Sequence, residues 1–259
     1  MPSYRDEAVV LRTYKLGEAD RIIILLTLEH GKVRAVAKGV RRTSSKFGAR
    51  LEPLSHVDVQ LLDGKSLETI TQAVTINAFG ASLVTDYPAY TAAQIMAETV
   101  DKIIQADHEP AVGQYRLLVG ALTVLTSQTW DGPRPASMIV DSFLLRSLAL
   151  AGYAPRMLQC VFCGQEEELR WFSISDGGMC CLACRPQGAI AIPQDQWRYL
   201  IALGRGDWPN TRTVGDYIEQ RSANLIAEYT TWHLDHHLRS LSIADRRTSS
   251  NTPIVPSRF

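Results

Sequence analysis

The chain has 259 residues, 46% hydrophobic and 21% charged, with Lys+Arg and Asp+Glu balanced at 27 each. That composition excludes a disordered or fibrous polypeptide, and the zero net charge names no partner class. The opening MPSYRDEAVV is too acidic for a signal peptide and the longest uncharged apolar stretch, 117–125, is far short of the ~20 residues of a membrane span, so a soluble cytosolic protein is expected.

In chain order, five short β-rich runs come first, at 8–11, 21–27, 33–37, 57–62 and 67–74. Glu29-His30-Gly31-Lys32 and Asp63-Gly64 read as turns between them. In the fourth run Val57, Val59 and Leu61 alternate with Asp58, Gln60 and Leu62, the pattern of a strand with one mostly wet face. Five such strands suggest a small barrel. The OB-fold is the nucleic-acid-binding answer of that size, and an SH3-like barrel with no ligand is the plainer one. Helical spacing takes over after residue 80. Asp86-Tyr87-Pro88 opens a helix that carries Ile95, Thr99, Ile103 and Ile104 on one side, and further helices are expected near 112–127, 135–150, 195–203 and 214–241. The tail 246–259, rich in Ser, Thr, Asn and Pro, reads as flexible.

Between the helices lies Cys160-x2-Cys163, then seventeen residues, then Cys181-x2-Cys184. Two residues between thiolates let one tight turn bring both sulfurs to an ion, and two such turns complete a tetrahedron. Four thiolates leave no open position, so one structural Zn2+ is expected rather than a catalytic metal. Gly164 follows the second cysteine, where such a turn often needs positive φ. Residues 169–175 read as a strand and Asp176-Gly177-Gly178 as the turn back to Cys181, the plan of a zinc ribbon. Arg156, Arg170 and Arg185 are near enough in sequence to offset the site's negative charge. Cys180 is the spare; the x2 spacing favours Cys181. Glu166-Glu167-Glu168 is expected to be an exposed loop, and Trp171 and Phe172 local core.

Upstream, Lys32, Arg34, Lys38, Arg41, Arg42, Lys46 and Arg50 follow one another with no acidic residue between them, and Arg12, Lys15 and Arg21 on neighbouring strands extend the patch. A charge run is often just a solvated face, but on a barrel such a cluster concentrates contacts to nucleic-acid phosphates. The aromatic residues close by are Tyr4, Tyr14 and Phe47, which favours backbone binding over base readout. His233 and His237 stand four apart on an expected helix, with His236 beside them. The Glu of HExxH is missing, so a solvated helix face is the better reading. No GxxxxGK[ST] loop, GxSxG elbow or His-x-Glu deaminase pattern is present, and Asp63-Gly64-Lys65 lacks the arrangement of a ligase nucleotidyl-transfer motif. No active site can be assembled. A scaffold whose basic barrel docks an acidic partner is the other class these residues allow.

Several segments are recognisable together: Gly17-Glu18-Ala19-Asp20-Arg21, Glu29-His30-Gly31, Val36-Ala37-Lys38-Gly39-Val40-Arg41-Arg42 and Leu51-Glu52-Pro53. Leu150-Ala151-Gly152-Tyr153-Ala154-Pro155 leads into Cys160-x2-Cys163-Gly164, and Gly177-Gly178 precedes Cys181-x2-Cys184. In this order and spacing, up to about residue 190, the chain resembles the bacterial recombination mediators of the RecO family. Cys180 departs from the family's pattern. The resemblance implies an α+β protein: a five-stranded OB-fold barrel at 1–80, then an all-helical domain at 81–245 with a four-cysteine zinc element embedded at 157–187. It implies a non-enzymatic cytoplasmic protein, associated with the nucleoid, that binds single- and double-stranded DNA and anneals complementary strands. Its implied partners are RecR, RecA indirectly, and the acidic C-terminal tail of the single-stranded DNA-binding protein.

Overall fold

The computed structural model describes residues 2–212 and 214–234. Alternating apolar residues form five strands: β1 (Ser3–Leu16), β2 (Asp20–Thr27), β3 (Lys32–Ala37), β4 (Ser55–Leu62) and β5 (Glu68–Ala78). β1 pairs antiparallel with β2 and β4, β2 with β3, and β4 with β5. A short parallel seam, Ala35 against Glu68 and Val36 against Thr69, closes the order β1-β2-β3-β5-β4 on itself. Val10, Ile23, Leu25, Val33, Val57, Val59 and Leu61 fill the interior, so the alternation read in the fourth run is the alternation of core and surface.

β1 is much longer than the expected 8–11, and the reason is a bulge between Val10 and Arg12. Upstream, Ala8 and Val10 face the barrel interior while Val9 faces outward to the helices. Leu11 is the extra residue and also joins the helix-side core, and Arg12 then pairs with Ile24 on that same outer face. Two successive outward residues break the pattern, although the strand continues.

The helices are α1 (Phe79–Leu83), α2 (Tyr87–Ile103), α3 (Val112–Thr126), α4 (Ala136–Leu150), α5 (Gln194–Arg205) and α6 (Asp216–His233). The short α1 is not legible in the pattern. α2 starts as expected: the Asp86 carboxylate accepts from the Ala89 amide at 3.0 Å, and a proline stands in the first turn. Ile95 and Thr99 face the core. α4 is the central helix, packed against α2, α3, α5 and α6. Among the described residues, no helix is long and apolar enough to cross a membrane.

The outer face of the barrel and the helices share a second core, distinct from the barrel interior. Val9, Leu11, Ile24 and Leu26 on the outside of β1 and β2 pack with Phe79, Leu83, Ile95, Met96 and Tyr115. Where β2 turns into β3, Gly31 has φ +68° and lies so close to the Glu109 carbonyl that a Cβ would stand 1.8 Å from its oxygen. The His108 amide then donates to the Lys32 carbonyl at 2.9 Å, stitching the segment after α2 to β3. The end of the expected 214–241 helix, His236, His237, the end of the 81–245 domain and the tail 246–259 lie outside the described residues.

Candidate nucleic-acid interface and metal centre

The strand register arranges the basic residues. Arg12, Ile24 and Arg34 form one row across β1, β2 and β3, and Lys15 pairs with Arg21 nearer the end of the hairpin. Beyond β3 the chain at Gly39 and Arg41 folds back onto the β1–β2 turn. The Arg41 amide donates to the Ala19 carbonyl at 2.9 Å, its guanidinium donates to the carbonyls of Gly17 (3.3 Å) and Glu18 (2.9 Å), and the Gly39 amide donates to Asp20 at 2.7 Å. Phe47 and Leu51 anchor the far end of this loop inside the barrel. Two segments that look unrelated in the sequence, residues 17–21 and 36–42, are therefore one contact surface.

The expected cations fall into distinct groups. Lys15, Arg34, Lys38 and Arg42 are exposed, and among the described residues their side chains have no hydrogen-bond or ion-pair partner. Arg41 and Lys46 are exposed too, but bonded to backbone; Lys46 donates to the Thr71 carbonyl at 2.7 Å. Arg12 pairs with Asp101 at 2.9 Å and Arg21 with Glu52 at 2.7 Å. Lys32 is corrected. It is 9% exposed and its ammonium donates to the carbonyls of Asp101 (3.1 Å) and Ile104 at the C-terminal end of α2, with the Asp101 carboxylate 3.5 Å away. Its outward-facing position in the register lies under the helices, so it caps a helix end instead of meeting solvent.

The aromatic residues also separate. Phe47 is 2% exposed, and Tyr4 is half-buried with its hydroxyl donating to Glu68 at 2.5 Å. Tyr14 remains 44% exposed, with the Arg12 guanidinium 5.0 Å from its ring centre.

The four expected cysteines converge. The sulfurs of Cys160, Cys163, Cys181 and Cys184 lie within 4.8 Å of one another, and those of Cys163 and Cys181 are 3.9 Å apart. A zinc ion bonded at about 2.3 Å to four sulfurs sets S–S edges near 3.8 Å, so the cluster fits such an ion. Burial opposes ionisation of Cys160, but backbone amides of Cys163, Cys181 and Phe162 outweigh it and bring the thiol down to about 6. Hydrogen bonding to Cys181 and Cys163, with burial and thiolate repulsion adding to it, pushes Cys184 up to about 12. Holding all four as thiolates calls for a cation among them. Cys180 is buried in the strand next to the site and stands outside the cluster, its sulfur near the Gly178 carbonyl at 3.7 Å.

The ribbon around the site consists of β6 (Trp171–Ser173), β7 (Gly178–Cys180) and β8 (Ile190–Ala191), in the order β7-β6-β8. Gly164 has φ +76°, as the knuckle turn requires. The Val161 amide donates to the Met179 carbonyl at 2.9 Å, tying the first knuckle to β7. Phe172 and Met179 point into the helical core, Phe172 edge-on to Tyr229 with ring centres 5.6 Å apart. Arg185 lies over Trp171 at 4.1 Å, and Glu166, Glu167 and Glu168 are exposed. His233 is corrected as well: it is half-buried against Tyr153 and Tyr229, with ring centres 5.3 and 4.2 Å away, and not on a solvated face.

Residues 1–79 match the family described as recombination protein O N terminal, and residues 84–242 match recombination protein O C terminal. A curated relative from Cutibacterium acnes, named DNA repair protein RecO, is 50% identical over 246 residues, spanning 95% of this chain and 100% of its own length. Relatives of the same name from Thermobifida fusca and a Nocardioides species are each 47% identical over 246 residues. They cover 95% and 94% of this chain, and 100% and 99% of their own lengths.

Proposed function

The chain belongs to the RecO family of DNA repair and recombination proteins, and from that premise we propose that it is a non-enzymatic mediator acting through the backbone of DNA. In this reading the barrel is an OB-fold that binds single- and double-stranded DNA and anneals complementary strands. With RecR, the protein helps to load RecA onto DNA coated by single-stranded DNA-binding protein, whose acidic C-terminal tail docks on the helical domain. It works in the cytoplasm, at the nucleoid. Cys160, Cys163, Cys181 and Cys184 hold a zinc ion that supplies structure and no chemistry.

The observation that carries this reading is the anchoring of Gly39 and Arg41 on the β1–β2 turn, which orders the loop while the side chains of Lys38 and Arg42 stay exposed and, among the described residues, without a hydrogen-bond or ion-pair partner. Cations on a pre-ordered loop neutralise phosphates with little ordering cost, and releasing the condensed counterions drives association. Annealing follows from the same property, because strands whose charge is neutralised repel each other less.

Arg41 also holds the β1–β2 turn, so Lys38→Ala with Arg42→Ala is the cleaner test. The double variant should bind single-stranded oligonucleotides more weakly, and its log–log salt slope should be shallower by about 1.5. Anisotropy titrations at several salt concentrations measure both. An unchanged slope would remove these residues from the interface. A wild-type protein that fails to bind DNA even at low salt would instead favour the scaffold reading, with the basic barrel docking an acidic partner.

A further inference from the structure

The outer face of β1, β2 and β3 has a groove that phosphate contacts do not account for. Arg12 and Arg34 flank Ile24 in one row, and Tyr14 stands opposite Ile22 in the next. Together with Lys32, Gln105, Asp107 and Asp101 of α2, these residues line a groove of about 460 Å3, in which Lys32 as well as Arg12 is held against Asp101. The walls do not suit a phosphate. Ile22 and Ile24 contribute apolar surface, Asp101 is a carboxylate, and Arg12 is already paired with it at 2.9 Å. A flat, uncharged, polarisable group suits them better. The Tyr14 ring is accessible and Arg12 is fixed over it, while the other nearby aromatics, Phe47 and Tyr4, are buried or engaged. Arg34 lines the same groove with its guanidinium free among the described residues.

We propose that this groove is a stacking subsite for one unpaired base of single-stranded DNA, with Tyr14 as the platform and Arg34 on the adjoining phosphate. The inference rests on the DNA-binding reading above and adds a selectivity to it. A base inside a duplex has both faces covered by its neighbours, so only an unpaired one can lie on Tyr14; aromatic side chains in positively charged grooves hold single strands in this way. The 38–50 loop grips any backbone, and the groove distinguishes single strands from duplex.

The test uses the full-length protein and three labelled probes at one salt concentration: oligothymidylate, an abasic oligomer of the same length, and a duplex. Tyr14→Ala should weaken binding to oligothymidylate about ten-fold and leave the abasic oligomer and the duplex unaffected. Tyr14→Phe, which keeps the ring, should bind all three like wild type. Irradiation of wild-type protein on a 5-iododeoxyuridine oligomer should place the cross-link on the peptide that contains Tyr14. Equal losses on all three probes, no loss on any, or a cross-link confined to other peptides would overturn the subsite while leaving the DNA-binding reading intact. Failure of wild type to bind any of the probes would overturn that reading, and the subsite with it.

Discussion

His56 connects three elements through one directional chain of hydrogen bonds. Asn77 donates to its Nδ1 at 3.3 Å, its Nε2 donates to the Tyr115 hydroxyl at 2.8 Å, and that hydroxyl donates to Glu7 at 3.2 Å. The pattern assigns a neutral imidazole with its proton on Nε2; protonating Nδ1 would break the Asn77 bond and leave a charge at a position only 5% exposed. Burial accordingly lowers the His56 pKa, with Glu7 pulling weakly the other way. The unfolded chain titrates near ~6.5, so between that value and the depressed folded one the unfolded state holds the extra proton. The contribution to stability is complete above ~6.5 and is lost as pH falls. Thermal midpoints recorded from pH 7.5 down to 5.5 should therefore decline for wild type and decline less steeply for His56→Gln. Parallel declines would mean that another group is responsible.

At the scale of elements, the four-cysteine ribbon is where spacing alone was most informative. Tetrahedral thiolate geometry imposes a local sequence rule, so both knuckles, the glycine at 164 and the closed ligand set could be read directly. The choice between Cys180 and Cys181 becomes physical in the structure: Cys180 lies in β7, paired with Trp171, while Cys181 follows the strand and turns into the cluster. Cys181→Ser should purify without metal and lose about 5–10 °C of thermal midpoint, because the brace carries Phe172 and Met179 into the helical core. Cys180→Ser should keep about one zinc per chain by elemental analysis; loss of metal there would reverse the assignment. The helices were legible from their 3.6-residue period and the Asp86 cap, but α1 was not, since five residues are too few to establish a period.

For the whole molecule, the decisive contacts join segments far apart in sequence, and local patterns do not encode them. Lys32 shows this. In the sequence it is one cation in a basic run, and in the fold it is buried beneath α2, holding the carbonyls that end that helix and facing the carboxylate shared with Arg12. Lys32→Met should cost about 2–3 kcal/mol in denaturant unfolding and leave the DNA salt slope as it was; a slope shallower by about 1 would return Lys32 to the phosphate interface. The free cations were individually visible as charges, whereas their assembly depends on a loop meeting a turn about twenty residues away in the chain. The bulge at Leu11 acts within β1 itself. A strand is a wave with a period of two residues, and one added residue shifts its phase by half a cycle. Had the phase run on unbroken from Ala8 and Val10, Arg12 and Tyr14 would fall inside the barrel, with Thr13 and Lys15 outside. The slip lets a single strand serve the barrel core with its first half and turn a cation and an aromatic ring outward with its second.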